Sequence, residues 1–292
     1  KESLHYGFIG AGNIGQALGA ALRAAKCQVD FWDSDPSLCT IKSQSSLAEQ
    51  CSVIILAIPS SAVRSVLSEL KPHLSPSHIV LIVAKGVETG FTTMDQVCED
   101  ELGANSNYGF LYGPMLAGEV KAGQSGYGIL ATEYIGISGQ IVTDLANGHV
   151  FVHQSDKVRD AVLCAALKNI YALGLGIADG IQLGINAKAQ LTVAMLIEMR
   201  DVLINLQLDG NMVFTSCGLG DLLATGWGDA SYNHRVGEAI GEGATSGLGG
   251  EGLNSLMELP SVVEISNFPI LNSLHHIIIS KAPAEQLSGL IR

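Results

Sequence analysis

The chain has 292 residues and a formal net charge of −12, with 47% apolar and only 15% charged residues. That length suits two domains of ordinary size, and the apolar fraction supplies two cores, which argues against disorder. The acidic balance repels phosphate backbones and argues against a nucleic-acid partner, but a few basic residues can still form a pocket for one small anion.

In chain order, the first half alternates short apolar runs with helical spacing. Runs at 6–9, 29–32, 53–58, 79–84, 108–112, 126–131 and 149–152 read as strands. Segments 14–26 and 62–70 read as helices between them. This alternation predicts an α/β fold with a doubly wound parallel sheet. From residue 155 onward the apolar residues recur at three and four, and helices are expected at 158–176, 187–208, 232–241 and 252–259. The reading is therefore a Rossmann-type domain over 1–154 and an all-helical domain over 155–292. Segment 161–183 is apolar enough to resemble a membrane span, but it contains Lys168, Asn169 and Asp179, which are costly in lipid. A buried helix and no membrane insertion are expected. The chain opens almost directly into a strand, so no signal peptide is expected. The six cysteines show no CxxC spacing, and no other set of residues has metal-ligand spacing; a reducing, cytoplasmic setting and no metal are expected.

The sequence Gly10-Ala11-Gly12-Asn13-Ile14-Gly15 is a GxGxxG element placed between the first strand and the first helix. In that context it reads as a dinucleotide fingerprint. Gly10 allows the tight turn, Gly12 lets a pyrophosphate approach the backbone, and Gly15 lets helix and strand pack. Asp33 ends the second strand about 20 residues on, where an acid accepts from the adenosine ribose and repels a 2′-phosphate. NAD is therefore expected over NADP. The competing reading of Asp33 is a turn aspartate in Asp33-Ser34-Asp35-Pro36.

Lys168 sits in the apolar run Ala165-Ala166-Leu167-Lys168-Asn169-Ile170. It must face a partner or a cleft, where its pKa falls and it can pass a proton, or else snorkel from a helix edge. Lys85 follows the fourth strand, at the sheet end that faces ligands in open α/β folds. Asp221 lies in Gly218-Leu219-Gly220-Asp221-Leu222, as a site residue or as a helix N-cap, and Thr225, Asn233, His234 and Arg235 follow it.

Together these pieces resemble the NAD(P)-dependent glycerol-3-phosphate dehydrogenases. The matching pieces are the Gly10 element, Ala57-Ile58-Pro59-Ser60, Lys85-Gly86-Val87-Glu88 and Gly113-Pro114 with Ala117 and Glu119-Val120. They continue through Ala166-Leu167-Lys168-Asn169, Gly176-Ile177-Ala178-Asp179-Gly180, Asn186 with Lys188, and Gly218-Leu219-Gly220-Asp221-Leu222. The resemblance implies reversible hydride transfer between sn-glycerol 3-phosphate and dihydroxyacetone phosphate. It implies Lys168 as acid/base, with Lys85 and Asp221 beside it. Asn169, Thr225, Asn233 and His234 are then expected at the substrate. Asn13, Ile14, Pro59, Ala117, Arg235 and Glu251 join the glycines and Asp33 at the cofactor. Two departures stand out. Tyr232 occupies the position of a family arginine, and Met115-Leu116 replace a serine and a phenylalanine after Gly-Pro. Tyr232 keeps open a related reductase of a non-phosphorylated keto compound. The expected partner is a small-molecule substrate, and a homodimer is left open.

Overall fold

The structure is a computed structural model that describes residues 4–103, 106–228 and 231–291. The chain divides into two compact units: 1–84 with 94–162, and 85–93 with 163–292.

In the first unit, β1 (His5–Ile9), α1 (Asn13–Ala24), β2 (Gln28–Trp32), α2 (Gln44–Gln50), β3 (Val53–Leu56), α3 (Ser60–Leu70) and β4 (Ile79–Ile82) follow one another. Two short strands, β5 (Val87–Glu88) and β6 (Thr92–Thr93), pair antiparallel. The chain continues with α4 (Met94–Leu102), β7 (Tyr108–Tyr112), α5 (Ala117–Lys121), β8 (Gly126–Ala131), α6 (Ser138–Asn147) and β9 (Val150–Ser155). The seven-stranded sheet has the order β2-β1-β3-β4-β7-β8-β9. Its inner strands β3 and β4 are unbroken apolar runs, as strands covered on both faces must be. Tyr6, Phe8, Val29 and Phe31 point to the face covered by α1 and α6, where Leu18, Leu22, Ile141 and Leu145 complete the core. Alternation sends Gly7 and Ile9 to the opposite face, where Gly7 meets Leu47 of α2.

The expected all-parallel sheet needs one correction. β7 and β8 pair antiparallel, whereas β8 and β9 are parallel. After Gly113-Pro114 the connection carries only the five-residue α5, which packs on α1, and so does not supply the long helical crossover typical of parallel neighbours.

The remaining helices are α7 (Val158–Gly180), α8 (Ile185–Asn205), α9 (Asp221–Gly226), α10 (Tyr232–Gly241), α11 (Glu251–Glu258) and α12 (Pro269–Ile279). The second unit is helical apart from the β5–β6 hairpin. α7 is long and apolar enough to cross a membrane, but its apolar window is wholly buried inside the protein. α10 crosses α7 on glycines. A Cβ at Gly176 or Gly180 of α7 would strike the α10 backbone at His234 and Glu238, and one at Gly237 or Gly241 would strike α7 at Leu173 and Ile177. This close approach fixes where the first turn of α10 lies along α7. Glu198 of α8 holds the start of α12, accepting from the Ile270 and Leu271 N–H groups at 2.7 and 2.8 Å.

Candidate active site

Lys168 lies in the middle of α7 and is only 2% exposed. Its ammonium stands 2.9 Å from Asp221 Oδ2, so it does not snorkel. Lys85 Nζ donates to the same oxygen at 2.6 Å. Asp221 is the first residue of α9, after Gly220 at the N-cap position. Its carboxylate is therefore spent on the two lysines and not on capping. Burial disfavours the Asp221 anion, but the Lys168 and then the Lys85 ammonium outweigh it and hold the carboxyl below the usual range. Burial pulls Lys168 down to about 8; the neighbouring Lys85 charge adds to this, while Asp221 opposes it. The trio carries one net positive charge when both lysines are protonated. Lys85 retains side-chain exposure of 18%, so one side of the centre is open.

The other expected substrate residues fall into two separate groups. Asn233 Oδ1, in the first turn of α10, accepts from the Gly252 N–H at 3.0 Å. A Cβ at Gly252 would press on the Asn169 carbonyl, so α7, α10 and α11 meet there. Asn169 Nδ2 reaches Glu251 Oε2 at 3.5 Å. Thr225 donates its hydroxyl to the Asp221 carbonyl one turn back. His234 is different: it is 3% exposed and its Nε2 lies 2.7 Å from Asp179 Oδ2. Lys188 Nζ meets that same oxygen at 2.6 Å and lies 4.9 Å over the Trp227 ring. This Asp179–Lys188–His234 cluster joins α7, α8 and α10. Asp179 and Lys188 both sit in motifs that the sequence singles out, but no local pattern pairs them with His234. Tyr232 is half exposed, with the Arg235 guanidinium 5.9 Å over its ring.

In the first unit, Gly10 has φ +98°, and a Cβ on Gly15 would strike the Gly10 carbonyl. Among the described residues nothing lies within 4 Å of a Cβ at Gly12. Among the described residues no side chain caps α1, which leaves its first N–H groups uncapped beside Gly12. Asn13 and Ile14 are in that first turn. Asp33 Oδ2 accepts from Ala11 N at 2.7 Å and Oδ1 from Asp35 N at 2.9 Å. The turn reading of Asp33 holds, and the same carboxylate also braces the glycine loop. Pro59 is the N-cap of α3, Ala117 opens α5, and Glu251 opens α11. The open, uncapped glycine loop fits a dinucleotide pyrophosphate, which needs backbone donors and no Cβ.

Comparison with known proteins finds one family over two stretches of the chain. Residues 38–134 match the family described as NAD-dependent glycerol-3-phosphate dehydrogenase N-terminus, and residues 158–288 match its C-terminus. A glycerol-3-phosphate dehydrogenase (NAD(P)+) of Teredinibacter turnerae is 31% identical over 250 residues, covering 82% of this chain and 73% of the relative. One of Acinetobacter baylyi is 27% identical over 316 residues, covering 97% and 88%. The crystal structure of glycerol-3-phosphate dehydrogenase from Coxiella burnetii superposes with a TM-score of 0.87 at 25% identity, covering 99% of this chain and 98% of that one. The fold and these matches define an oxidoreductase that uses a nicotinamide cofactor. The chain belongs to the NAD-dependent glycerol-3-phosphate dehydrogenase family.

Proposed function

We propose that this protein interconverts sn-glycerol 3-phosphate and dihydroxyacetone phosphate, and that it prefers NAD(H). Residues 1–154 supply most of the dinucleotide contacts, and residues 155–292, with Lys85, handle the substrate. The buried Lys168–Asp221–Lys85 centre carries this reading. A bound nicotinamide supplies or accepts the hydride. In the reductive direction Lys168 gives a proton to the substrate oxygen as negative charge grows there. Lys85 stabilises that charge, and Asp221 holds both ammonium groups in place. In the oxidative direction the neutral Lys168 amine takes the hydroxyl proton. Asn233 and Thr225, with Asn169, bind the rest of the substrate. Gly10, Gly12, Asn13, Ile14 and Gly15 bind the pyrophosphate on the first turn of α1. Asp33, Pro59, Ala117, Arg235 and Glu251 complete the cofactor contacts.

One observation favours a second reading. Tyr232 offers a single hydroxyl where an arginine fork would hold a phosphate, which suits a non-phosphorylated keto substrate. A panel of keto compounds with NADH and NADPH, followed by nicotinamide absorbance, separates the two. Turnover of dihydroxyacetone phosphate above that of its non-phosphorylated analogues supports the first reading. The reverse order overturns it.

A further inference from the structure

His5 opens β1, Asp30 lies inside β2, and Cys51 follows α2 just before β3. β1 and β2 run in parallel register with Gly7 beside Asp30, so His5 and Asp30 share the sheet face that α2 covers. Between them, β1 carries no side chain. A Cβ at Gly7 would crowd Leu47 and lie 2.9 Å from Cys51 Sγ. The space left by glycine lets an imidazole, a carboxylate and a thiol face one another. One ligand atom of each lies within 4.8 Å of the other two.

The carboxylate is already oriented. Asp30 Oδ2 lies 2.8 Å from His5 Nε2, while Oδ1 accepts from Thr40 Oγ1 at 2.7 Å. Thr40 Oγ1 in turn accepts from Phe31 N at 2.8 Å. Burial opposes ionisation of Asp30, but the bonds from Thr40 and His5 overcome it and hold the carboxyl below its usual range.

We propose that His5, Asp30 and Cys51 form a binding site for one divalent cation of the zinc class. The ion takes three protein ligands and a water in the fourth position. Nitrogen, thiolate and a single carboxylate suit zinc or cobalt(II), and do not suit magnesium or calcium, which take oxygen shells. Ligand atoms around tetrahedral zinc lie about 3.3–3.7 Å apart, as follows from zinc bond lengths. That spacing falls between the present 2.8 Å His5–Asp30 separation and the 4.8 Å limit on the trio, so side-chain adjustments suffice. Binding breaks the His5–Asp30 hydrogen bond and the S–H bond of Cys51; the thiol proton leaves to solvent, the imidazole shifts its proton from Nε2 to Nδ1, and the new bonds run to the metal. Side-chain exposure of 15% for His5 and 22% for Asp30 gives the ion access. The Arg23 guanidinium also acts on Asp30, and its charge limits the affinity. The glycine loop follows the opposite end of β1, so the ion ties together the far end of the sheet and adds stability to the first unit.

Cobalt(II) titration of the full chain tests this. Cys27 and Cys39, the two half-buried thiols, are first replaced by serine to remove competing ligands. One equivalent should then produce a thiolate-to-cobalt charge-transfer band with intense tetrahedral d–d bands, and zinc should bleach both and raise Tm. Cys51→Ser should abolish the charge-transfer band, and His5→Gln should weaken cobalt binding at least tenfold, the loss of about 1.4 kcal/mol. No charge-transfer band, or a band that survives Cys51→Ser, would overturn the site. If Cys51→Ser does not fold, unchanged cobalt affinity in His5→Gln overturns it equally.

Discussion

Lys168 Nζ stands 2.9 Å from Asp221 Oδ2, with both groups almost wholly removed from water. An ammonium in that position can exchange a proton with a substrate oxygen without losing its anchor. Lys168→Met keeps the stem volume and removes the proton carrier. It should lower kcat on the order of 10²- to 10⁴-fold, the usual worth of a positioned acid/base. The dissociation constant for NADH should barely move, because the glycine loop belongs to the other unit. Near-normal turnover would take Lys168 out of the mechanism.

The pH dependence follows from the same pair. Lys168 is pulled to about 8 by burial, so the ligand-free enzyme holds its proton below that pH. Reduction needs the ammonium: kcat/KM for ketone reduction should fall as pH rises through about 8, and kcat/KM for alcohol oxidation should rise through the same point. In Asp221→Asn the ammonium loses its opposite charge. Both limbs should then move down by roughly 1–3 pH units. The stability contribution has a defined sign as well. Between about 8 and 10.5 the unfolded chain keeps a Lys168 proton that the folded chain has released, so this group's contribution rises with pH. Loss of reductive rate in that window, measured alongside Tm, should therefore not track unfolding caused by Lys168.

The proposed preference for NAD(H) rests on Asp33, which also shapes the glycine loop. Its two oxygens accept from Ala11 N and Asp35 N, and these bonds, Asp35 first, hold the carboxyl below its usual range. A carboxylate held below its usual range is an anion at neutral pH, and facing the adenosine ribose it would repel a 2′-phosphate. NADH should exceed NADPH in kcat/KM by about tenfold or more, one charge-assisted interaction's worth. Asp33→Asn keeps an acceptor for the turn and removes the charge, so it should improve the NADPH value while Tm stays within a few degrees. A wild type that prefers NADPH would show that Asp33 does not face the ribose.

The glycine crossing of α7 and α10 bears on the site through Asn233. A Cβ at Gly237 would strike the Leu173 carbonyl, which is backbone and cannot rotate away. Gly237→Ala should cost about 1–3 kcal/mol of stability, the usual cost of overpacking. It should also shift the first turn of α10, and with it the Asn233–Gly252 bond. KM for the substrate should rise several-fold while kcat changes less. Denaturant unfolding and steady-state kinetics on the same preparation test both parts.

What the sequence makes legible is whatever local spacing encodes. The glycine element, β7, β8 and α10 lie where periodicity and turn residues place them, because each is specified within a dozen residues. α2 is short, and its one local signal is Ser43, whose hydroxyl accepts from Ser46 N. α4 reads Met-Asp-Gln-Val-Cys-Glu-Asp-Glu-Leu, too charged and too brief for periodicity to single out, and α12 is apolar over most of its length. The site's pairings are a different matter. Lys85 and Asp221 are 136 residues apart, and Asp179 and His234 are 55 apart. Nothing in local pattern states that two such residues meet. Lys168, Lys85 and Asp221 could be picked out singly, as polar groups that core packing did not explain. That His234 turns to Asp179 could be learned only from the packing of α10 on α7.

That packing sharpens the question of the substrate phosphate. His234 is committed to Asp179, so it is a poor replacement for the arginine absent at Tyr232. Tyr232 itself is half exposed and runs beside Gly250, where a Cβ would lie 3.0 Å from its ring, and Arg235 lies 5.9 Å over that ring. The Tyr232 hydroxyl can donate one neutral bond to a phosphate where arginine would donate a charged fork. Losing one charge-assisted bond costs roughly 1.5–3 kcal/mol, or about ten- to a hundredfold in binding. Dihydroxyacetone phosphate should therefore be turned over with a high KM. Tyr232→Arg should lower that KM at least several-fold with kcat nearly unchanged, because the interaction is made equally in ground and transition states. Tyr232→Phe should raise KM only modestly. A low-micromolar KM in the wild type would mean that another base already holds the phosphate. No turnover by either the wild type or Tyr232→Arg would assign the centre to a substrate without a phosphate.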